Sequence, residues 1–330
     1  MPLGLKPGEN LVSNRDIDPD SYAQYLRARS ILFARRQANP KEAVALLEQI
    51  VAKNPNYAPA WALLALVYGA NAAPARAATA AQRAVSLEPN NADGNFVLAT
   101  LQKDKNFLAY YESIQRALAQ DPDNPQTLHG LAFNMADAGY VKEALAIRQK
   151  LLEAEPTFAV NFSHAAVALW LNGRTDAAIE MLKIVPPEFP EKYMALAIFD
   201  ASMGRYNEAA DALEKLPADF PPAIVKEAVK LMRMAPAKPA SPQSLPSLGN
   251  LSWVFLHVGA PERVIGDLTP RLGGIRYIRA AILWHPSFAA VRKTEAFKDY
   301  VRKSHFVEFW RVKGWPPQCH PTTGDDFACE

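Results

Sequence analysis

Residues 58–90 read APAWALLALVYGANAAPARAATAAQRAVSLEPN, and this stretch decides the fold. Leu64 and Ala65 follow Trp61 by three and four residues, Tyr68 follows them by four and three, and Ala77 and Ala84 stand seven apart. Such spacing sets each group on one face of a helix, so the stretch predicts two amphipathic helices closed by Pro89. The closing proline recurs as Pro55, Pro89, Pro122, Pro156, Pro190 and Pro221, at intervals of 34, 33, 34, 34 and 31 residues. Twelve residues before each stand Ala43, Ala77, Tyr110, Ala144, Ala178 and Ala209, so two landmarks keep a fixed phase. A two-helix unit of this length cannot bury its own apolar face, and neighbouring units must stack. Stacked arrays of this kind bind more often than they catalyse.

Working outward, residues 1–19 are rich in Pro, Gly, Asn and Asp and read as an extended lead-in. The array then runs over 20–268. In the first repeat, SYAQYLRARSILFARRQ leads to NPKEAVALLEQIVAKNP, with Asn39 as the expected cap and Pro40 as the first residue of the second helix. The third repeat, residues 92–122, is one residue short and carries Tyr110 where the others carry alanine. Gly139, Gly173 and Gly204 fall where a first helix must end, in the place of a C-cap that needs positive φ. After Pro221 a helix IVKEAVKLMRM gives way to APAKPASPQSLPS, a proline-rich loop at 235–246. Residues 246–268 resume a repeat-like pair with Leu251, Phe255, Gly259 and Val264, and residues 269–330 read as a helical cap followed by an irregular tail.

Composition bounds the partners. Of the 330 residues 49% are hydrophobic and 21% charged, enough apolar surface for an ordered core, and the net charge of +2 is too balanced for a protein that grips a nucleic-acid backbone. Ten Lys or Arg against three Asp or Glu between Arg271 and Lys313 give the C-terminal part a modest basic surface, read as a solvated helix face or a docking surface for an acidic partner or an anionic membrane face. No stretch reaches the roughly 18 to 20 apolar residues of a membrane helix, and the start MPLGLKPGENLVSNRD has no signal core, which places the chain as written in the cytoplasm. The two cysteines, Cys319 and Cys329, leave three readings open. They form a disulfide in an oxidising compartment, stay as free thiols, or join His320 and His305 around zinc, a set without CxxC or HxxxH spacing.

The phased positions Trp61, Leu64, Ala65, Tyr68, Ala77, Ala84 and Pro89 resemble the tetratricopeptide repeat, and the likeness covers most of 20–268. It implies an all-α, right-handed superhelical solenoid of six to seven helix-turn-helix repeats with a helical C-terminal cap. It also implies that first-helix positions 2, 5, 9, 12 and 13 line a concave groove. Here these are Leu66, Phe96, His129, Phe133, Val167, Trp170, Leu171, Met194, Ile198 and Trp253, an apolar and aromatic set that reads as packing or as a groove for a partner segment. Chaperone-adaptor members hold a carboxylate tail with cationic groove residues. The matching positions Pro59, Ala62, Leu63 and Leu66, and Gln126, His129, Gly130 and Phe133, offer no such clamp.

A second resemblance lies at the chain's ends. HPSFAAVRKTEAFKDYV with FWRVKGWPPQCHPTTGDDFAC, and GLKPGENLVSNRDIDPDSYAQYLRAR before them, are similar to the repeat regions attached to bacterial winged-helix regulators or class III nucleotidyl cyclases. That likeness implies a sensing half whose effector domain lies elsewhere, with Met1 an internal methionine of a longer relative and a periplasmic site for a membrane-anchored parent. No GxSxG, GxxxxGK[ST], HExxH or GxGxxG motif occurs, and the histidines are scattered, so no catalytic residue, cofactor or metal is expected. The sequence thus predicts a non-enzymatic protein-interaction module with a protein or peptide partner, no direct nucleic-acid partner and no membrane insertion by this chain; its alternative is the ligand-sensing region of a larger signalling protein.

Overall fold

In a computed structural model the described residues are 17–33, 40–70, 73–103, 105–156, 158–217, 220–238, 241, 244–266, 280–324 and 326–330. The expected lead-in up to residue 16, the Asn39 cap, parts of the proline-rich loop and the cationic residues Arg271, Arg276 and Arg279 lie outside them. Among the described residues the fold is all-α up to the last residues. Thirteen helices precede the proline-rich loop among the described residues: α1 Pro19–Phe33, α2 Pro40–Lys53, α3 Ala58–Ala70, α4 Pro74–Leu87, α5 Ala92–Gln102, α6 Phe107–Gln120, α7 Pro125–Asp137, α8 Val141–Ala154, α9 Ala159–Leu171, α10 Thr175–Ile184, α11 Pro190–Ser202, α12 Tyr206–Leu213 and α13 Pro222–Met234. They pack as consecutive pairs, α1 on α2, α3 on α4, α7 on α8, α9 on α10 and α11 on α12, and none is long and apolar enough to cross a membrane.

The chain divides into two units. The first comprises residues 1–102 and 112–122 with 272–274, the second 103–111, 123–271 and 275–330, so the division passes through α6. In the first unit Leu47, Ile50, Leu63, Leu64, Ala77 and Ala81 fill the space between α2, α3 and α4. Each of the six phased positions ahead of a proline is buried to within 2% of full burial. Helix axes approach closely only where one side chain is small, which explains alanine at five of them. At the sixth, in the second unit, Tyr110 turns its ring toward Phe107 and its hydroxyl accepts a 2.8 Å hydrogen bond from Asn134 Nδ2 of α7.

The prolines stand just ahead of the first helix of each pair, and Pro190 is itself the first residue of α11. α7 begins under an Asn124 cap whose side chain accepts from Thr127 N at 2.9 Å. It ends as the sequence predicts, with Gly139 at φ 96°; Gly173 and Gly204 close α9 and α11 at 74° and 77°. The three ends share one bonding pattern: the glycine N–H and the N–H after it fold back onto the helix, for instance Tyr140 N to Met135 O at 2.9 Å.

Past α13 the expected helix pair takes another form. Gly249–Val258 winds as a 3₁₀ helix and Pro261–Arg263 as a single 3₁₀ turn. Leu251, Ser252, Trp253, Val254 and Phe255 are all buried, and the Ser252 hydroxyl is satisfied by Val264 O at 2.7 Å. The cap comprises 3₁₀ turns Ala280–Trp284 and Pro286–Phe288 and helices α14 Ala289–Arg292, α15 Glu295–Lys303 and α16 Phe306–Lys313. The tail read as irregular is instead a two-stranded antiparallel ribbon, β1 Cys319–Pro321 and β2 Phe327–Cys329, with Gly324 at φ 66° in the turn.

Gly139 meets two demands where Gly173 meets one. A Cβ on Gly139 would lie 2.8 Å from Pro316 Cβ and 3.1 Å from Trp284 Cζ2, whereas one on Gly173 would meet nothing within 4 Å. Gly173→Ala should therefore cost only the left-handed backbone term, about 1–2 kcal/mol. Gly139→Ala should cost roughly 1–3 kcal/mol more through overpacking against the cap. Urea midpoints of the two variants measure the difference, and equal values would contradict the contact.

Candidate interaction surface

The structure separates the ten groove candidates into two groups. Trp170 and Trp253 have no exposed surface, and His129, Leu171, Met194 and Ile198 are also buried, so these six side chains are packing and not contact positions. Leu66 and Phe96 in the first unit, and Phe133 and Val167 in the second, are half-buried. Periodicity assigns a residue to a face but does not say what later covers that face.

On α7 and α9 the half-buried residues Phe133, His164 and Val167 form a stripe. His164 stands edge-on to the Phe133 ring at 4.7 Å, and the Arg148 guanidinium from α8 lies 4.0 Å from the ring centroid on Phe133. Arg148 is itself buried and reaches His129 Nδ1 at 2.7 Å. A guanidinium can only donate, so Nδ1 accepts and the ring proton sits on Nε2, 3.6 Å from Glu155 Oε2. Asn161 of α9 donates to the same carboxylate oxygen at 3.1 Å. The Arg148–His129–Glu155–Asn161 chain thus ties α8, α7 and α9 beneath the stripe, and it fixes the orientation of Phe133 by locking the cation that backs it.

Trp170 sits elsewhere. Its indole stacks face to face on His285 of the cap, with centroids 3.8 Å apart and planes at 9°, and lies 5.2 Å from Phe199. Its Nε1 donates to Ser202 Oγ at 3.1 Å. The cap makes further contacts of this kind within the second unit. Trp284 Nε1 donates to Asp137 O and Trp310 Nε1 to Ala138 O, both at 2.9 Å, while Ala281 N donates to Asp137 Oδ1 at 3.1 Å. Helices leave their last carbonyls unsatisfied, and two indoles supply the donors that the Gly139 turn does not. Phe306 and Phe309 pack on Phe107, each 4.9 Å away, Phe309 also meets Tyr111 at 5.0 Å and Tyr140 at 5.5 Å, and the Tyr140 hydroxyl donates to Gly314 O. Burial raises the Tyr140 phenol well above the ordinary range.

Part of the basic charge is paired within the second unit. Lys298 and Arg302 hold Asp326 at 3.0 and 2.8 Å, Lys313 holds Glu143 at 3.1 Å, and buried Arg292 donates to the carbonyls of Leu283, His285 and Glu330. Cys319 and Cys329 are joined in a disulfide, which leaves no thiolate for the zinc set. Among the described residues no group of three or more His, Cys, Asp or Glu could hold a metal ion.

The first unit has a cleft of its own, about 540 Å³, lined by Val51, Trp61, Leu64, Tyr68, Arg76 and Ala80. Arg76 lies 4.1 Å from the Tyr68 ring centroid, and the Tyr68 hydroxyl donates to Glu48 Oε1 at 2.5 Å. Burial, then the Glu48 carboxylate, pushes the Tyr68 phenol up to about 12. Its charges are mutually satisfied, leaving a mostly apolar wall.

No protein-family model matches the chain, and no curated protein is similar to it in sequence. Solved structures are similar in fold. PilW, a widely conserved type IV pilus biogenesis factor, is 19% identical over 65% of this chain and 100% of its own, with a TM-score of 0.48. A tetratricopeptide repeat protein from Parabacteroides merdae is 16% identical over 66% of this chain and 86% of its own, with a TM-score of 0.46. PilF from Pseudomonas aeruginosa is 16% identical over 64% of this chain and 96% of its own, with a TM-score of 0.45.

Two consequences are measurable. Trp170→Ala should behave as a core truncation and destabilise the second unit by about 3–5 kcal/mol in urea unfolding. Burial, aided by Arg292, lowers His285 to about 4, and burial alone lowers His257 to about 4. Both rings ionise near 6.5 when unfolded, so the unfolded chain binds more protons between those values. Stability should be full above pH 6.5 and fall, by on the order of 3 kcal/mol per ring, as pH drops through 4. The Tm of His285→Gln should be less pH-dependent than that of the wild type across this window.

Proposed function

We propose that the chain is a non-enzymatic protein-binding module whose partner segment lies along the stripe of Phe133, His164 and Val167. The observation that supports this reading most directly is Phe133, an aromatic ring held by Arg148 and His164 and only half-buried. A ring that is orientated in advance loses little conformational freedom on binding and so suits an anchor position. The occupant is an apolar or amphipathic peptide held by contact area and not by a charge clamp, since Gln126, Gly130 and Phe133 carry no cation. The net charge of +2 fits a protein partner better than a nucleic acid.

A second reading, the sensing region of a larger regulator or cyclase, has one observation in its favour. The residues carrying that resemblance, 285–301 and 309–329, build most of a cap that makes specific contacts with α7 and α9. In that setting a ligand would act by shifting the array under an attached effector domain. An upstream in-frame winged helix, cyclase domain or membrane span would favour it.

The test is capture of partners by the full chain, identification by mass spectrometry, and reconstitution of each with purified components. Phe133→Asp and Val167→Asp should each weaken the reconstituted complex at least tenfold with little change in Tm. Equal affinity of both variants and the wild type for every reconstituted partner would sink the stripe as the binding site.

A further inference from the structure

The β1–β2 ribbon is too small to hold itself. Its register pairs Cys319 with Cys329, His320 with Ala328 and Pro321 with Phe327, and two strands of three residues are not independently stable in water. The disulfide closes the ribbon at its first pair. What the closed ribbon carries is unusual for so short an element. Phe327 is fully buried edge-on to Trp310 at 5.7 Å and lies 6.1 Å from Trp315. Asp326 bridges to Lys298 and Arg302 of α15. Glu330 donates its N–H to Gln318 O at 2.8 Å and offers its carbonyl to Arg292, which also binds the carbonyls on either side of Trp284.

Both indoles that end on α7 are therefore backed by the ribbon. Trp310 bears on Phe327 directly, and Trp284 is reached through Arg292 and through its own 5.9 Å contact with Trp310. We propose that the Cys319–Cys329 disulfide is a redox lock on the cap: its two-electron reduction releases Trp284 and Trp310 from the end of α7 and uncovers the edge beneath. The reductant is a dithiol. Its thiolate attacks Cys329 Sγ, and Cys319 leaves as a thiolate. The second thiol of the reductant then displaces Cys329 from the mixed disulfide. Two electrons and two protons pass to the cysteines, and the reductant departs as its own disulfide.

The uncovered edge consists of the rings of Phe107, Tyr111, Tyr140 and Trp170 with the carbonyls of Asp137 and Ala138 between them. Such a surface fits a tryptophan-bearing segment, because the cap it releases is one. These residues are distinct from the Phe133 stripe, so the inference stands whether or not that stripe binds a partner.

Hydrogen exchange of the full chain, read by mass spectrometry before and after treatment with dithiothreitol, tests the lock, with alkylation confirming two open thiols. Reduction should raise exchange at least tenfold in 319–329, at Ala281 and across Phe306–Lys313, leave Thr175–Ile184 unchanged, and be undone by reoxidation. The Cys319→Ser/Cys329→Ser double variant should show the same pattern without reductant. A rise confined to 319–329 would overturn the proposal, because the bond would then only staple the ribbon. A rise that extends to Thr175–Ile184 would overturn it too, since the bond would then support the whole unit.

Discussion

Close approach of paired helices is the constraint from which the rest follows. A first and second helix approach most closely where one of them presents a small side chain, and alanine at five of the six phased positions before the prolines supplies those points of contact. Closeness forces a sharp reversal between the helices, which glycine in the left-handed region provides at 139, 173 and 204. The reversal leaves helix-terminal carbonyls directed to one edge, and at α7 two tryptophans of the cap find them. Packing of alanines and docking of the C-terminal segment are thus linked through one turn.

The helical array was legible because it rests on local rules: apolar spacing, proline punctuation and glycine at the turn. Tyr110 was visible as a departure, but its meaning was not, since its hydroxyl is matched by Asn134 twenty-four residues on, a polar pairing with no periodic trace. The ribbon at 319–329 was missed for a related reason. Two three-residue strands lie below any alternation signal, and what fixes them is a disulfide that spacing left as one of three choices. Residues 249–258 carried the right apolar pattern and took a 3₁₀ winding, a distinction that apolar periodicity does not encode.

The candidate surface was half legible. First-helix periodicity found the face that contains Phe133 and Val167, and it assigned Trp170 and Trp253 to a similar face although both are fully buried. In the second unit the covering group for Trp170 is His285, 115 residues later and supplied by a segment outside the repeat period. His285 in isolation reads as one of six scattered histidines. Asp137 was equally silent, because its role lies in a backbone carbonyl and in a side chain that meets Ala281 across 144 residues.

That contact has a bearing on how such a chain can change over generations. Plain repeat arrays gain and lose units readily, because each unit contacts only its neighbours. Here the cap addresses individual units by their irregularities: Asp137 at one turn, Trp170 at the next, and the Phe107–Tyr111 rings ahead of both. Inserting or deleting a unit between 107 and 171 would shift one of these marks out of reach of the others. The C-terminal segment acts as a ruler: a change in the number of repeats beneath it would break these contacts, whereas a change outside its span would leave them intact.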